Sequence, residues 1–357
     1  MKGIIKRRLS LSVAVLFIFL LSACNNTVNH SENTINIVDC VGREVQVPLN
    51  PKAIATLDPF AGQAVIMLGF GDKMPATING VKRDMLLQSI SPSLANSTVV
   101  KDSGSINAET VLSMGIDLMF VKSDMYTNES EREKIEKLNI PYLVIDYNNI
   151  EEHQKALMVI GESLGASEEA AEMVKYYNDS IGRVEDVVAH IPEEERPKLY
   201  HAVNEATRTD AEGSLAADWI GVTGAINVSL GGYLSLQGEK TFATLEQIYE
   251  WDPDVIICSE SGVDDFILQD TKWVGLRAVR ERDVHQIPIG VSRWGHPSSS
   301  ETSLAILWLA KTLYPEEFKD LDIRDEVRYF YDTFFDYEIS DETLDLVLSG
   351  EGIRAPN

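Results

Sequence analysis

Residues 167–192 read SEEAAEMVKYYNDSIGRVEDVVAHIP, and this stretch decides how the rest of the chain is interpreted. Its apolar residues are 4, 3, 4, 3 and 4 positions apart, which places them on one face of a helix. Ser167 stands at the expected N-cap, acidic residues fill the first turn, and Pro192 ends the helix. At 1.5 Å per residue such a helix spans roughly 35 Å, which is long enough to join two lobes. The apolar face consists of Ala170, Val174, Tyr177, Ile181, Val184 and Val188.

On either side of this helix the chain repeats one pattern at a distance of 137 residues. Residues 108–120 read AETVLSMGIDLMF, and residues 245–257 read LEQIYEWDPDVII. Each predicts a short helix opened by a glutamate, then a turn, then a buried strand. In both halves apolar strands alternate with helical patterns, which indicates βαβ units and mainly parallel sheets. The predicted strands are 53–57, 117–121 and 142–145 in the first half, and 199–203, 254–258 and 284–288 in the second.

These patterns predict an α/β fold of two lobes, each with a mainly parallel sheet, joined by a single long α-helix. The predicted boundaries are an N-terminal lobe at 35–166, the connecting helix at 167–191 and a C-terminal lobe at 192–357. Beyond the second repeat, residues 329–335 predict an amphipathic helix packed on the second lobe, without a ligand role.

The N-terminus has the order of a secretory signal, with basic residues, an apolar run over 11–21 and small residues before Cys24. The run is shorter than the roughly 20 apolar residues that a transmembrane helix needs. A cysteine directly after Leu-Ser-Ala resembles the bacterial lipoprotein signal, in which that cysteine is acylated. We therefore expect residues 1–23 to be a removed signal peptide and residues 24–34 a lipid-anchored tether. The protein would then lie outside the cytoplasm, held at the cell membrane by Cys24; ordinary secretion is the alternative.

The composition excludes several classes of protein. The chain carries 31 basic and 56 acidic residues, a formal net charge of −25, which argues against a nucleic-acid partner. The sequence contains neither a CxxC pair nor a Cys/His ligand spacing typical of structural zinc. The remaining cysteines, Cys40 and Cys258, lie in apolar contexts and are predicted to be small buried residues, although one long-range disulfide stays open.

Three segments together carry a resemblance to a known family. Residues 38–48 read VDCVGREVQVP, residues 51–56 read PKAIAT, and residues 68–73 read LGFGDK. Over residues 35–315 the chain resembles the substrate-binding proteins of the iron-siderophore, haem and cobalamin uptake systems. The resemblance implies two α/β lobes joined by one long helix, with a small ligand in the cleft between them. It also implies delivery of that ligand to an ABC permease dimer with its ATPase.

The two repeated glutamates have a role in the family. There, the helix-opening acids of the two repeats dock onto arginines of the permease subunits, and by position these are Glu109 and Glu246. The alternative is that both are only helix-start acids favoured by the helix dipole.

Ligands of open α/β sheets bind beyond the carboxyl ends of the strands, so the loops there supply the candidate ligand-binding residues. In residues 292–297, SRWGHP, Arg293 could pair with a carboxylate or an oxyanion and Trp294 could lie against a planar ligand. His296 could ligate iron or donate a hydrogen bond, and Ser299 or Ser300 could cap the helix that follows. A surface arginine, a core tryptophan and a histidine bonded within the fold are the structural alternatives. The other candidates are Asp58, Arg83, Arg208, and two tyrosines that could be phenolate ligands to ferric iron or stacking surfaces, Tyr126 and Tyr233.

The sequence favours a binding protein over an enzyme or a surface adhesin. It contains no Gly-x-Ser-x-Gly elbow, no phosphate-binding glycine loop with lysine and no His-Glu-x-x-His. We expect no intrinsic cofactor. The basic candidates favour an anionic metal chelate as ligand, with a ferric chelate first, while haem, a corrinoid and an oxyanion such as molybdate or tungstate stay open.

Overall fold

The protein is described by a computed structural model that covers residues 33–102, 104–238 and 240–353. The predicted signal peptide, Cys24 and nearly all of the predicted tether lie outside the described residues. Within the described ranges, no helix has both the length and the apolar composition that crossing a membrane would require.

The first lobe is built on a six-stranded sheet whose neighbouring strands are parallel except at one edge. Its buried strands carry continuous apolar runs, as sheets covered by helices on both faces do. Before this sheet come two paired strands, β1 (Thr34–Val38) and β2 (Glu44–Pro48). The sheet runs β6 (Ser105–Ile106), β5 (Thr98–Asp102), β4 (Ala76–Ile78), β3 (Ile54–Thr56), β7 (Leu118–Lys122) and β8 (Tyr142–Ile145), with β5 and β6 antiparallel.

The turn between β1 and β2 is fixed by the buried Asp39. Its carboxylate accepts hydrogen bonds from Nε of Arg43 at 2.9 Å and from the backbone N–H of Val144 at 3.0 Å. The guanidinium of Arg43 lies over the rings of Tyr142 and Tyr126, 4.2 and 4.8 Å from their centroids. The strand pair is thereby tied to the edge strand β8.

The helices of the first lobe follow their strands in the alternation that the sequence predicts. They are α1 (Pro59–Met67), α2 (Asn79–Lys82), α3 (Met85–Ile90), α4 (Ala108–Ser113), α5 (Ser123–Thr127), α6 (Glu129–Glu136) and α7 (Ile150–Leu164).

The connecting helix α8 (Ser167–Val188) is unbroken over 22 residues. The N-cap is Ala166, without a side-chain hydrogen bond, so the predicted capping role of Ser167 is wrong by one position. Gly165 ends α7 in the left-handed conformation, with φ of 75°, and lets the chain turn directly into α8. The two helices then pack closely at Gly161, where an added Cβ would lie 2.5 Å from the Cβ of Ala170.

The second lobe has a four-stranded parallel sheet in the order β10, β9, β13, β14. Its strands are β9 (Lys198–Ala202), β10 (Ile226–Asn227), β13 (Val255–Cys258) and β14 (Val284–Gln286), with an antiparallel pair beside it, β11 (Ser235–Gln237) and β12 (Lys240–Phe242). Its helices are α9 (Leu215–Val222), α10 (Leu245–Trp251), α11 (Val263–Gln269), α12 (Arg277–Glu281), α13 (Thr302–Leu313), α14 (Ile323–Phe335) and α15 (Asp341–Leu348).

One hydrophobic cluster runs from the first lobe through α8 into the second. It includes Ile54 of β3, Val184 of α8, Leu199 of β9 and Phe330 of α14. The predicted helix at 329–335 forms the end of α14, which packs on α13 and also contacts α1 of the first lobe.

Direct hydrogen bonds add to this joint core. The backbone N–H and the hydroxyl of Ser300 both donate to Oε1 of Gln63, at 2.9 and 3.0 Å. The N–H of Met85 donates to the carbonyl of Ile353 at 3.2 Å, so the C-terminal segment also reaches the first lobe. The helix is therefore one of several connections that hold the lobes together.

Both described cysteines are free; Cys258 is buried as predicted, whereas Cys40 is only partly buried, and no disulfide joins the two. Burial raises the pKa of the Cys40 thiol to about 11, so this side chain is a poor nucleophile at neutral pH.

Candidate functional site

A cavity of about 800 Å³ lies between the carboxyl ends of the two parallel sheets. This is the place where open α/β sheets bind ligands, and the volume is that of a small-molecule site. The first lobe contributes residues that directly follow β3, β7 and β8, and the second contributes the loops after β9 and before α13. Its charged and imidazole-bearing lining residues are Asp58, Lys122, Asp124, Asp146, Arg208, Lys240 and His296.

Charge is distributed unequally between the two walls of this cavity. All three carboxylates belong to the first lobe, whereas the described lining residues of the second lobe include cations and no carboxylate. Within the described part of the chain, Lys122, Arg208 and Lys240 form no ion pair. In a protein of net charge −25, the wall that the second lobe contributes is a local region of positive charge. It would attract the negatively charged part of a ligand.

Asp58 lies at the cavity but is also a structural residue. It is the N-cap of α1, and its carboxylate accepts the backbone N–H of Ala61 at 2.8 Å. Burial raises its pKa to about 6, against the lowering effect of that hydrogen bond and of Lys122. The side chain therefore both starts the helix and lines the cleft.

The loop that carries His296 is fixed by a close contact with Trp219. Nε1 of Trp219 donates to the carbonyl of Gly295 at 2.9 Å. Gly295 has a φ of +70°, and a Cβ there would lie 2.4 Å from the indole ring. Only glycine fits this position without displacing the loop.

His296 is a neutral hydrogen-bond donor in this arrangement. Burial, together with nearby Arg293 and Arg208, lowers its pKa well below the ordinary value. Its Nδ1 accepts the backbone N–H of Ser298 at 3.2 Å, so the proton of the neutral ring resides on Nε2. The Nε2–H group is left to donate.

Arg293 is engaged by the protein itself. Its guanidinium pairs with Glu260 and donates to Oδ1 of Asn204 at 2.6 Å. Arg293 and Arg83 line a smaller cavity of about 130 Å³, which shares His296 and Ser298 with the main cavity. The two arginines are thus near the site, but Arg293 holds the loops of the second lobe together.

Three predicted ligand contacts do not fit the geometry. Trp294 has no exposed surface and lies in the joint hydrophobic core. Tyr233 is 86% exposed beside β11 and lines none of the cavities described here. Tyr126 packs under Arg43 and receives Arg132 on its ring as well. These side chains are structural or solvent-exposed rather than turned to the cleft.

Behind the main cavity lies an inner cavity of about 230 Å³ that the sequence interpretation missed. His201 and Ser259 line it, and His201 was not considered as a site residue. A signal was present, since His201 is a polar residue within the buried part of β9 and Ser259 directly follows the run Val255–Cys258. Buried polar groups need hydrogen-bond partners, and ligands bind at the carboxyl ends of the strands, so a polar residue near such an end is a site candidate.

The loop bearing His296 rests on a buried carboxylate. Glu301 is the N-cap of α13, so the predicted capping role of Ser299 or Ser300 is wrong. Its carboxylate accepts the hydroxyl of Tyr331 at 2.5 Å and the N–H of Ser292 at 3.0 Å. Burial raises the pKa of Glu301 to about 7.

The described residues contain no group of three or more His, Cys, Asp or Glu side chains placed to hold a metal ion. The donor set around His296 thus offers hydrogen bonds and charge rather than a coordination sphere, and a bare cation has no cage here.

Glu109 and Glu246 occupy equivalent positions in the two lobes. Each is exposed in the first turn of its helix, two residues after an N-cap whose side chain accepts a backbone N–H, Asn107 in α4 and Thr244 in α10.

Comparison with known proteins agrees with this architecture. The chain is 25% identical over 327 residues to the molybdate-binding protein MolA of Haemophilus influenzae, covering 84% of this chain and 90% of that protein. The solved structure of MolA bound to molybdate superposes with a TM-score of 0.76 at 23% identity, over 86% of this chain and 99% of that one.

Two further proteins are similar. One is an uncharacterized ABC transporter substrate-binding lipoprotein, YvrC of Bacillus subtilis, 22% identical over 88% of this chain and all of that protein. The other is Helicobacter pylori CeuE with Ni(II) bound, with a TM-score of 0.70 at 17% identity, over 88% of this chain and 99% of that one.

The decisive match is to a family rather than to one relative. Residues 54–289, more than half of the chain, match the family described as periplasmic binding protein. The two lobes, the helix between them and the cleft at the strand ends agree with that match. The chain belongs to the periplasmic binding protein family and is an extracytoplasmic substrate-binding protein of an ABC importer.

Proposed function

We propose that the ligand is a small anion, in the first place a tetrahedral metal oxyanion such as molybdate, which the protein binds in the cleft and delivers to its permease. The observation that carries the proposal is the wall formed by Arg208, Lys240 and His296, two cations and a neutral N–H donor; among the described residues that line the main cavity, the second lobe contributes no carboxylate. Charge-assisted hydrogen bonds from such groups are strong and suit oxyanion oxygens. The molybdate-binding relative supports the same ligand class.

A ferric siderophore or a haem-like chelate is the second candidate. The volume of the main cavity, about 800 Å³, favours it, because a free oxyanion fills only a small part of that space. Such a chelate would arrive as a preformed complex, and its negative groups would face the same cationic wall. Direct ligation of iron by His296 or by Tyr126 and Tyr233 is not part of the proposal.

Elemental analysis and native mass spectrometry of the freshly purified protein test the ligand class. We expect a co-purified or added molybdate to bind with a stoichiometry of one. Calorimetric titrations with molybdate, tungstate, sulfate and a ferric hydroxamate chelate would rank the candidates at one ionic strength. Tight binding of a bare divalent cation, with none of these anions bound, would contradict the proposal.

We also propose that Glu109 and Glu246 dock onto the permease and that lipidated Cys24 holds the protein at the membrane. One exposed acid per lobe, at matching positions of a repeated motif, suits a partner with two-fold symmetry. The lipoprotein description of the Bacillus subtilis relative supports the anchor. Mass spectrometry of the N-terminal peptide, with a Cys24→Ser variant as control, would detect the acyl chains.

A further inference from the structure

The inner cavity adjoins the main cavity at the wall formed by Arg208, Lys240 and His296. Both are lined by Arg208, Ser214, Lys240, His296 and Pro297. Its volume of about 230 Å³ equals the liquid volume of roughly eight water molecules. That space suits a four-oxygen anion with a few waters, and it is too small for a siderophore or haem.

Its floor is a chain of three buried polar side chains. Oγ of Ser259 lies 2.6 Å from Nε2 of His201, and Nδ1 of His201 lies 2.7 Å from Oδ2 of Asp210. The sheet sets this geometry, because β9 and β13 pair in parallel with His201 opposite Ile257, which brings Ser259 beside the histidine. Asp210 follows Thr209, whose N–H donates to the carbonyl of Thr241 in β12 at 3.1 Å.

The hydrogen-bond directions in this chain follow from Asp210. When the His201 ring carries one proton, bonding of Nδ1–H to Asp210 leaves Nε2 to accept the Ser259 hydroxyl. In that state Ser259 has no hydrogen left for a ligand. A second proton on the ring would reverse the Ser259 bond, with Nε2–H donating to Oγ, and the hydroxyl hydrogen would then turn to the cavity.

We propose that the tetrahedral oxyanion binds against the hydrogen-bonded side chains of Ser259, His201 and Asp210. We further propose that His201 takes up a proton from solvent when the anion binds. The inference rests on the proposed function, since it places the anion within the same cleft. The bound anion supplies negative charge beside the new imidazolium and accepts the released Ser259 hydroxyl. The other groups around His201 are Asp210 on its far side, the cations Arg208 and Lys240 and the neutral His296 lining the cavity, and the ring of Trp219, whose centroid is 6.3 Å from that of His201.

The same order of contacts occurs in serine hydrolases, where the serine attacks an acyl carbonyl. Here the backbone N–H of Ser259 is bonded to the carbonyl of Ala202 at 3.0 Å, so it does not face a developing oxyanion as the nucleophile's own N–H does in chymotrypsin-like enzymes. The cations at the cavity suit a bound anion instead.

The test is calorimetric titration of the purified protein with sodium molybdate between pH 6.0 and 8.5, in pairs of buffers that differ in ionisation enthalpy. The wild-type protein should take up as much as one proton per anion and bind more tightly at the lower pH. His201→Gln should abolish the proton uptake and flatten the pH profile, and Ser259→Ala should weaken binding about tenfold. His285→Gln is the matched control, because His285 forms a similar pair with Asp283 but lines none of the cavities described here.

Several outcomes would overturn the inference, and they separate it from the proposed function. Proton uptake that persists in His201→Gln, or wild-type affinity in Ser259→Ala, would contradict the binding site at Ser259 and His201. The proposed function as an anion-binding protein would be unaffected. Binding of the ferric chelate but not of molybdate does the same. Hydrolysis of p-nitrophenyl acetate by the wild-type protein but not by Ser259→Ala would assign Ser259 to catalysis instead. Failure to bind any anion would remove both proposals. Melting curves identify any variant that is not folded. Ser259→Ala removes only one oxygen atom, so it still tests the inference if His201→Gln does not fold.

Discussion

Arg208 is held at the cavity by backbone pairing rather than by a carboxylate. It bridges to Phe242 in β12, and the N–H of Val203 donates to its carbonyl at 2.8 Å. The loop is fixed at both ends, so the guanidinium stands at the cavity without an ion-pair partner in the described part of the chain.

Replacing Arg208 by glutamine should therefore weaken anion binding with little change in stability. A charge-assisted hydrogen bond contributes about 1.5–3 kcal/mol, so we expect the Kd to rise roughly tenfold to a hundredfold. Titration with molybdate measures the change, and Arg132→Gln, a cation paired with Glu136 away from the cavity, serves as control. Equal affinity of both variants and the wild-type protein would remove Arg208 from the site.

The buried Glu301 makes folding stability depend on pH. Its pKa rises from 4.5 in the unfolded chain to about 7 in the folded protein, because burial disfavours the charged form. The folded state therefore holds the extra proton between these values, and stability falls as pH rises through this window. The shift corresponds to roughly 3 kcal/mol.

Glu301→Gln should remove most of this loss, because a neutral amide has no charge to bury. Thermal unfolding of wild type and variant from pH 5 to pH 8.5 measures it: the wild-type Tm should fall more steeply with pH. Asp58, with a pKa of about 6, adds the same trend to both proteins. Parallel pH profiles would show that Glu301 does not govern this dependence.

Single residues were the hardest part of the site to predict from sequence. Arg208, His296 and Asp58 follow strands or precede a helix, and the strand-end rule places them at the cleft. Trp294 follows the same rule and is buried, since the direction of a side chain depends on packing that sequence does not reveal. His201 was missed because its strand pattern predicts burial and says nothing of a partner 58 residues away.

The close crossing of α7 and α8 depends on a glycine, Gly161, and Gly182 within α8 is a matched control position. A Cβ at Gly161 would lie 2.5 Å from Ala170 and 2.9 Å from the carbonyl of Ala166, whereas Gly182 within α8 has no atom within 4 Å of such a Cβ. Both glycines are helical.

Gly161→Ala should therefore destabilise the protein, by about 1–3 kcal/mol, because the helices must separate to admit the methyl group. Gly182→Ala should stabilise it by about 0.5–1 kcal/mol through the better helix propensity of alanine. Urea denaturation of both variants gives the two free energies of unfolding. A shift of the same sign in both would show that the close crossing has no energetic weight.

The elements themselves were largely predictable, because their apolar periodicity is strong. The predicted strand at 142–145 coincides with β8, and the others agree to within one or two residues at each end. Helix starts were less accurate: the chain begins α8 after Ala166 and α13 after Glu301, neither of which caps with its side chain. A serine near a helix start indicates a cap only where tertiary packing leaves room for one.

The proposed docking residues, Glu109 and Glu246, are not among the described residues that line the main and inner cavities. Glu109→Lys and Glu246→Lys together should abolish ligand delivery in a transport assay with reconstituted permease and ATPase, while titration shows unchanged ligand affinity. Glu250→Lys, an exposed acid on the same helix as Glu246, is the control and should transport normally. Normal transport by the double variant would reduce both glutamates to helix-start acids.

The joint core also limits motion between the lobes. The unbroken α8, the bonds from Ser300 to Gln63 and the bond from Met85 to Ile353 all resist hinge opening. Small-angle X-ray scattering with and without saturating ligand should give the same radius of gyration within error. A clear contraction on binding would show that the lobes close as separate bodies.

The cluster that includes Ile54, Val184 and Phe330 also bears on how such proteins diverge. A gene that fused the first lobe of this protein to the second lobe of a distant relative would inherit two halves of a packing pattern that were never selected together. Exchange of whole lobes is thereby disfavoured, and new ligand preferences would arise instead by point changes at cavity-lining positions such as Arg208 and Lys240, which take no part in that cluster.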